Sequence, residues 1–180
     1  MQQTRDLLRR YCPDCCDKIA VEAGGATRND TVRNAISYFC ENSKVDENSI
    51  LVTHDAVRPF VSHRIIEENV QAAIEFGACD TVVPATDTIV QSDDGALISA
   101  IPDRSKLYQG QTPQSFNLLE LKQLISSLSS DEEAILTDAC KIYTLRGRKV
   151  ALVRGDVSNM KITYPHDLRV ASALMGNSRA

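Results

Sequence analysis

The chain has 180 residues, which fits one domain with a sizeable core, since a typical domain takes ~100 to 200 residues, and leaves no room for a second complete one. Hydrophobic residues make up 43% and charged residues 24% of the sequence, a balance that excludes disorder, collagen and coiled coil as the state of the whole chain. Lys and Arg number 20 against 24 Asp and Glu, a net charge of -4, so there is no global positive field to hold nucleic acid or an anionic membrane, although a local Arg and Lys cluster still suits an anionic small molecule.

The start, MQQTRDLLRRYCPDCCDK, lacks the apolar core of a signal peptide, and no run approaches the ~18 apolar residues of a membrane helix. A soluble, cytoplasmic protein is expected. Residues 4–11 read as the tail of a helix broken at Pro13, and residues 19–23 as a short strand running into Gly24 and Gly25, so the chain opens in mid-architecture. Val32, Ala35, Ile36, Phe39 and Cys40 recur at helical spacing, with Asn29 or Asp30 placed to cap the first turn. Residues 49–53, SILVT, form a compact apolar run that suits a buried parallel strand and stops at His54 and Asp55.

Ile65, Ile66, Val70, Ala73 and Ile74 make the next amphipathic helix, closed by Gly77 as a C-cap, and residues 79–85 another strand. This alternation of helix and strand predicts an α/β fold with a parallel sheet. Residues 88–91 and 96–99 then read as two extended stretches joined by Ser-Asp-Asp-Gly, a β-hairpin arm projecting from the body. A helix beginning with Phe116, Leu118 and Leu121 follows, then a helix over 131–143, a strand over 150–153, and a last helix with Pro165 in its first turn.

Four stretches gather charged and small polar residues at strand ends or turns, where α/β sheets bind ligands. GGATRNDT (24–31) is a Gly turn feeding a helix N-terminus, suited either to a nucleotide or simply to a tight turn. In THDAVRPF (53–60), Asp55 is a hard oxygen donor for Mg²⁺ and Arg58 a planar fork for a phosphate; an Asp55 to Arg58 ion pair bracing the turn explains the same residues. His54 reads as a structural hydrogen-bonder. PDRSK (102–106) with YQGQTPQSF (108–116) is either a structured return from the arm or a site for sugar hydroxyls, and NMKIT (159–163) sets one Lys beside a helix start.

The cysteines, Cys12, Cys15, Cys16, Cys40, Cys79 and Cys140, read as reduced thiols, and the Cys12 and Cys15 pair as a polar turn, because no second pair and no His at finger spacing follows. His54, His63 and His166 stand in unrelated settings, so neither a Ser-His-Asp set nor a pair of metal-binding histidines can be built. What recurs is Asp, Arg, Lys and hydroxyl groups on loops, the equipment of phosphoryl or nucleotidyl transfer.

Taken in order, GGATRNDTV, VTHDAVRPF, DTIV, YQGQTPQSF, LTDACKI and GDVSNMKIT resemble the cytidylyltransferase family that makes CDP-alcohols from CTP and a polyol phosphate. Within it, YQGQTPQSF and LTDACKI are similar to ribitol-5-phosphate cytidylyltransferases, while HDA-x-RP, TPQ and N-x-K-x-T are shared with methylerythritol-phosphate cytidylyltransferases. The resemblance implies a Rossmann-like nucleotidyltransferase fold over residues 1–180, a mostly parallel sheet flanked by helices, with a β-arm at about 86–111 that crosses to the partner of a homodimer. It implies CTP and a polyol phosphate as substrates and Mg²⁺ as cofactor, with ribitol 5-phosphate as acceptor and methylerythritol phosphate as the alternative. Gly25, Thr31 and Ala56 would meet the cytidine portion, and Asp55 would hold Mg²⁺. Arg58, Thr88, Arg104 and Thr112 would receive the polyol phosphate, Thr137 and Asp138 would line the polyol side, and Lys161 would neutralise phosphate charge. Against the family, the glycine-rich loop that wraps the triphosphate is expected to be missing before Gly24, with a loss of triphosphate binding or a catalytically silent, dimerising fold as its consequence.

Overall fold

The computed structural model describes residues 1–134, 136 and 138–177. Four strands form one sheet among them: β1 (Ile50–Thr53), β2 (Ala78–Pro84), β3 (Tyr108–Asn117) and β4 (Ala151–Arg154), in the spatial order β1-β3-β2-β4. β3 pairs antiparallel with β1 and with β2, and β2 pairs parallel with β4. β1, β2 and β4 therefore run one way and β3 alone opposes them, which makes the expected α/β sheet a mixed one.

The helices are α1 (Gln2–Tyr11), α2 (Arg28–Asn42), α3 (His63–Phe76), α4 (Leu118–Ser126), α5 (Ser130–Ala134), α6 (Ala139–Leu145) and α7 (Asp167–Asn177). α3 starts where the Ser62 side chain accepts the Ile65 N–H and stops at Gly77, whose φ of 82° is the left-handed cap that the sequence predicts. Its buried Ile65, Asn69 and Ala73 lie one helical turn apart and face the sheet. On the other sheet face Leu51, Ala78 and Phe116 pack with Leu118, Leu121 and Ile125 of α4 and Ile142 and Tyr143 of α6. The Phe116 and Tyr143 rings stack at 5.5 Å, and truncating a buried aromatic of this kind costs ~3 to 5 kcal/mol.

Beneath α3, Asn69 donates to the Thr81 hydroxyl at 2.8 Å, and Thr81 donates to the Pro113 carbonyl at 2.6 Å. The Ser115 hydroxyl donates to Asn69 Oδ1 at 3.3 Å. This buried ladder fixes β3 to β2 at the point where the pairing slips: Asp80 faces Gln114 but Val82 faces Gly110, four residues back on β3 for two forward on β2. The resulting bulge over 111–113 breaks the strand's alternation, which re-aims side chains there.

Several expectations shift. Thr27, not Asn29 or Asp30, is the N-cap of α2: its hydroxyl accepts the Asp30 N–H, and the Asp30 carboxylate at the third helical position accepts the Thr27 N–H, closing a capping box. Residues 19–23 form no strand; instead Arg5 donates to the Val21 carbonyl and Asn34 to that of Ala23, so side chains tie the segment down. The helix expected over 131–143 is split into α5 and α6, because the Asp138 carboxylate accepts the Cys140 N–H and starts a new helix. Pro165 lies just before α7, which Asp167 opens by accepting the Thr163 and Tyr164 N–H groups. The arm makes one isolated bridge, Gln91 to Ala100, rather than a ladder, and residues 108–111 of its expected extent belong to β3.

Among the described residues no helix is long and apolar enough to cross a membrane.

Candidate active site

β1 ends at Thr53, and two residues on stands Asp55, the hub of the site. Its carboxylate meets Lys161 Nζ at 3.2 Å, Arg28 Nη1 at 3.2 Å and Arg58 Nε at 3.5 Å. The three cations come from three places in the chain: the first turn of α2, the turn after β1, and the segment after β4. Burial pushes the Asp55 carboxyl up, but the Lys161 hydrogen bond and charge and the Arg28 charge outweigh it and hold the group below the usual carboxylate range.

A second layer fixes the hub. The Asp55 N–H donates to the Thr112 hydroxyl at 3.0 Å, and that hydroxyl lies 2.9 Å from His54 Nδ1, while His54 Nε2 lies 2.9 Å from the Arg58 carbonyl. A carbonyl only accepts, so Nε2 carries the proton and Nδ1 accepts from Thr112. His54 is thereby a brace, as its setting in the sequence implies, and it holds Asp55 and Arg58 in one turn. Arg58 is largely buried and donates to the Asn159 carbonyl at 2.9 Å, and the Ile162 N–H donates to the Val57 carbonyl at 2.9 Å. Fully buried Asn159 donates to the Thr112 carbonyl at 2.8 Å and to Gln111 Oε1 at 3.2 Å. The segment carrying Lys161 is thus stitched to both the Asp55 turn and β3. The Asp55 to Arg58 ion pair weighed from sequence is present, yet it is one arm of a cluster in which both arginines and the lysine converge.

A cleft of about 280 Å³ opens beside this cluster, lined by Arg58, Lys161, Thr86, Gly110, Gln111 and Met160. Arg104 stands at its edge, where its guanidinium donates to the Thr86 carbonyl at 2.7 Å. Thr88 is exposed on the arm, and no contact joins it to Asp55 among the described residues.

Gly25 and Thr31 meet at the start of α2, where the Gly25 N–H donates to the Thr31 hydroxyl at 3.0 Å. A Cβ on Gly25 would collide with that of Asp30, so the turn closes only with glycine. Ala56 is exposed beside Asp55.

Asp138 belongs to a second, acidic cluster. Gln114 donates from Nε2 to Asp138 Oδ2 at 2.7 Å and to Asp80 Oδ1 at 3.0 Å. Burial, with the Asp138 charge added, pushes the Asp80 carboxyl up to about 6 against the opposing Gln114 hydrogen bond. Thr137 lies outside the described residues.

Arg28, Gln111 and Asn159 lie inside stretches the sequence singles out but receive no role there, Asp80 is read only as part of a strand, and Gln114, whose amide sequence reasoning offers to sugar hydroxyls, is found between two carboxylates. For Arg28, Thr27 as N-cap was the available signal for the direction of its helix. The others carry amides or an acid in strand-like or loop sequence, whose convergence needs the β3 bulge.

Among the described residues no group of three or more His, Cys, Asp and Glu side chains could enclose a metal ion. Asp55 alone fits only a Mg²⁺ carried mainly by phosphate oxygens, the usual mode of this ion at nucleotide sites.

Residues 1–177 match the family model of 2-C-methyl-D-erythritol 4-phosphate cytidylyltransferase. A solved 4-diphosphocytidyl-2C-methyl-D-erythritol synthase is 29% identical, with 94% of this chain and 76% of that chain covered and a TM-score of 0.79. The Thermus thermophilus 2-C-methyl-D-erythritol 4-phosphate cytidylyltransferase is 30% identical, with 85% and 71% covered and a TM-score of 0.71. The Francisella tularensis enzyme of the same name is 28% identical, with 87% and 71% covered and a TM-score of 0.77. With nearly the whole length matched and the nucleotidyltransferase fold shared, the chain belongs to the 2-C-methyl-D-erythritol 4-phosphate cytidylyltransferase family.

Proposed function

We propose that this chain transfers a cytidylyl group from CTP to a polyol phosphate, releasing pyrophosphate. The observation that carries the reading is the convergence of Lys161, Arg28 and Arg58 on the single carboxylate of Asp55, beside a cleft lined by Arg58 and Lys161. An oxygen of the polyol phosphate attacks the α-phosphorus of CTP, the new P–O bond forms, and the bond to the β-phosphate bridging oxygen breaks. Negative charge then builds on the α-phosphate oxygens and the departing pyrophosphate. Fixed cations aimed at that charge lower the barrier without reorganising, which is the main resource of a phosphoryl-type transfer. Asp55 keeps Lys161 and Arg28 in place before substrates arrive, and its ionised state, secured by those same cations, suits it to orient a Mg²⁺ on the triphosphate. That ion would supply further neutralisation of the phosphates.

Gly25, Thr31 and Ala56 form the cytidine side of this reading; Arg58, Thr112 and Arg104 receive the acceptor phosphate; Thr137 and Asp138 face its polyol end. Thr88 reaches a phosphate only across a homodimer formed through the arm. For the acceptor, the names of the matched family and of the solved relatives favour methylerythritol phosphate. Ribitol 5-phosphate is the second reading, favoured by the motifs YQGQTPQSF and LTDACKI.

Pyrophosphate release from CTP and Mg²⁺ tests this, with methylerythritol 4-phosphate and ribitol 5-phosphate supplied separately. Release that depends on one of them is expected and names the acceptor; no release with either, from a chain that is folded, would sink the reading.

A further inference from the structure

Gln114 is 2% exposed, both hydrogens of its amide are given to carboxylates, and its Oε1 is a buried acceptor with no partner. Buried polar atoms without partners are rare and costly, so an orphan of this kind marks a place where a donor is missing. Asp80 and Asp138 are each only partly buried, and their remaining lone pairs are also acceptors. The three side chains therefore present acceptors, since both amide hydrogens of Gln114 are already given to the carboxylates. Such a surface rejects phosphate and carboxylate groups and takes hydroxyl donors, which bind charged acceptors strongly.

The cluster is next to the cation hub. The Thr53 hydroxyl, two residues before Asp55, donates to the Gln114 carbonyl at 3.2 Å. Thr112, two residues before Gln114 on β3, holds the Asp55 N–H. Arg28 pairs with Asp55 at 3.2 Å and also acts on Asp80 through its charge. One end of the site is thus cationic and the three side chains at the neighbouring end offer acceptors, a polarity that matches a molecule with a phosphate at one end and hydroxyls at the other.

We propose that Asp80, Gln114 and Asp138 form a hydroxyl-reading subsite, with Asp80 as a specificity-determining residue for the acceptor alcohol. The inference rests on the cytidylyl-transfer reading and adds to it the side chains that recognise the carbon chain rather than the phosphate. Asp80 stands half-buried in the middle of β2, where its carboxylate accepts one hydrogen bond from Gln114 and carries a burial cost that an apolar residue would avoid; a ligand hydroxyl given to its remaining lone pairs would offset that cost.

The test is isothermal titration of the full chain with CTP and Mg²⁺, inorganic phosphate, ribitol 5-phosphate and methylerythritol 4-phosphate, repeated for Asp80→Asn and Asp80→Ala. The unsubstituted chain should bind one polyol phosphate more tightly than inorganic phosphate. Asp80→Ala should weaken that polyol phosphate about 10- to 100-fold, the factor a lost charge-assisted hydrogen bond carries, while CTP and inorganic phosphate binding stay unchanged. Asp80→Asn, which preserves shape, should lose less and remain folded by thermal unfolding. If both variants keep the full preference for the polyol phosphate, or lose CTP and polyol phosphate affinity together, the subsite is overturned and cytidylyl transfer stands. If the unsubstituted chain binds neither CTP nor any polyol phosphate, the cytidylyl reading fails and takes the subsite with it.

Discussion

Asp55, in the turn after β1, and Asp80, within β2, are two carboxylates with opposite electrostatics. Asp55 is surrounded by cations, and Asp80 by another acid and an amide. For Asp55, the consequence is kinetic. Lys161→Ala leaves Arg28 and Arg58 to hold the carboxylate but removes the ammonium group of the hub; kcat should fall by about 10² to 10³, the scale of losing one preorganised charge-stabilising group. Steady-state pyrophosphate release checks this, and an unchanged kcat would remove Lys161 from the chemistry. For Asp80, the consequence is a pH dependence of stability. Its folded value, raised to about 6 chiefly by burial, exceeds the ordinary carboxylate value, so the native state keeps a proton that the unfolded chain has released. The stability linked to this proton is complete below about pH 4 and is lost as pH rises through about 6. The Gln114 amide and the Thr81 N–H oppose the effect through hydrogen bonds, the Asp138 charge reinforces it and the Arg28 charge opposes it, while the Cys79 and Cys140 thiols are pushed up by burial and stay neutral there. The stability of Asp80→Asn relative to the unsubstituted chain should therefore rise between pH 4.5 and pH 7.5 by on the order of 1 to 3 kcal/mol. Thermal unfolding at the two pH values decides it, and the same relative stability at both would mean that Asp80 is not protonated in the fold.

At the scale of elements, the site depends on two starts and one bulge: the capped first turn of α2, the Asp138 cap of α6, and the irregular middle of β3. The first can be tested alone. Gly25 is held against Asp30 so closely that any side chain must displace the capping box. Gly25→Ala should lower thermal stability by about 1 to 2 kcal/mol, comparable to losing an N-cap, and should weaken CTP more than polyol phosphate in titrations; a variant with wild-type stability and CTP affinity would show that the turn yields freely. The helical spacing of Ile65, Ile66, Val70, Ala73 and Ile74, with Gly77 at the end, made α3 visible in advance, although Ile66 and Ile74 prove exposed and Asn69 takes a buried place, and the apolar run before His54 and Asp55 made β1 and the position of the hub visible. β3 was not, because Gly110, Gln111, Thr112, Pro113 and Gln114 carry no alternation and a proline argues against an interior strand. That strand is held by buried side-chain bonds to Thr81 and Asn69, distant in sequence, and so are the Gln114 and Asp80 contacts that only its bulge creates. Asp55, Arg58, Lys161 and Asp138 could be named from motif resemblance, whereas the part of Arg28 in the hub, and Asp80 beside Gln114 and Asp138, had to await the fold.

For the whole molecule, the feature without a use inside one chain is the arm. Between Ala85, whose N–H donates to the Leu107 carbonyl at 3.0 Å, and the pinned Arg104, it carries Ile89, Val90, Leu97, Ile98 and Ile101, all exposed. Apolar side chains gathered on one projection resist solvation together, and such patches mark contact surfaces more often than they mark idle ones. The arm is also weakly structured within its own chain, with the Gln91 to Ala100 bridge and the Asp94 turn as its internal ties, so a partner surface would give it the order that its own ladder lacks. Thr88 sits on it, away from the Asp55 hub, and contributes to a phosphate site only if the arm reaches a second copy. Sedimentation equilibrium at micromolar concentration should therefore give a dimer. The paired substitution Leu97→Asp and Ile98→Asp should shift it to monomer while leaving thermal unfolding of the body within about 0.5 kcal/mol, the usual range for exposed positions. In the same variant the apparent KM for polyol phosphate should rise severalfold and that for CTP should not, because Arg28, Gly25 and Thr31 come from the chain's own α2 and the turn before it. A monomer before substitution, or a dimer that survives both aspartates, would take the arm out of the assembly and leave Thr88 without a role in the site.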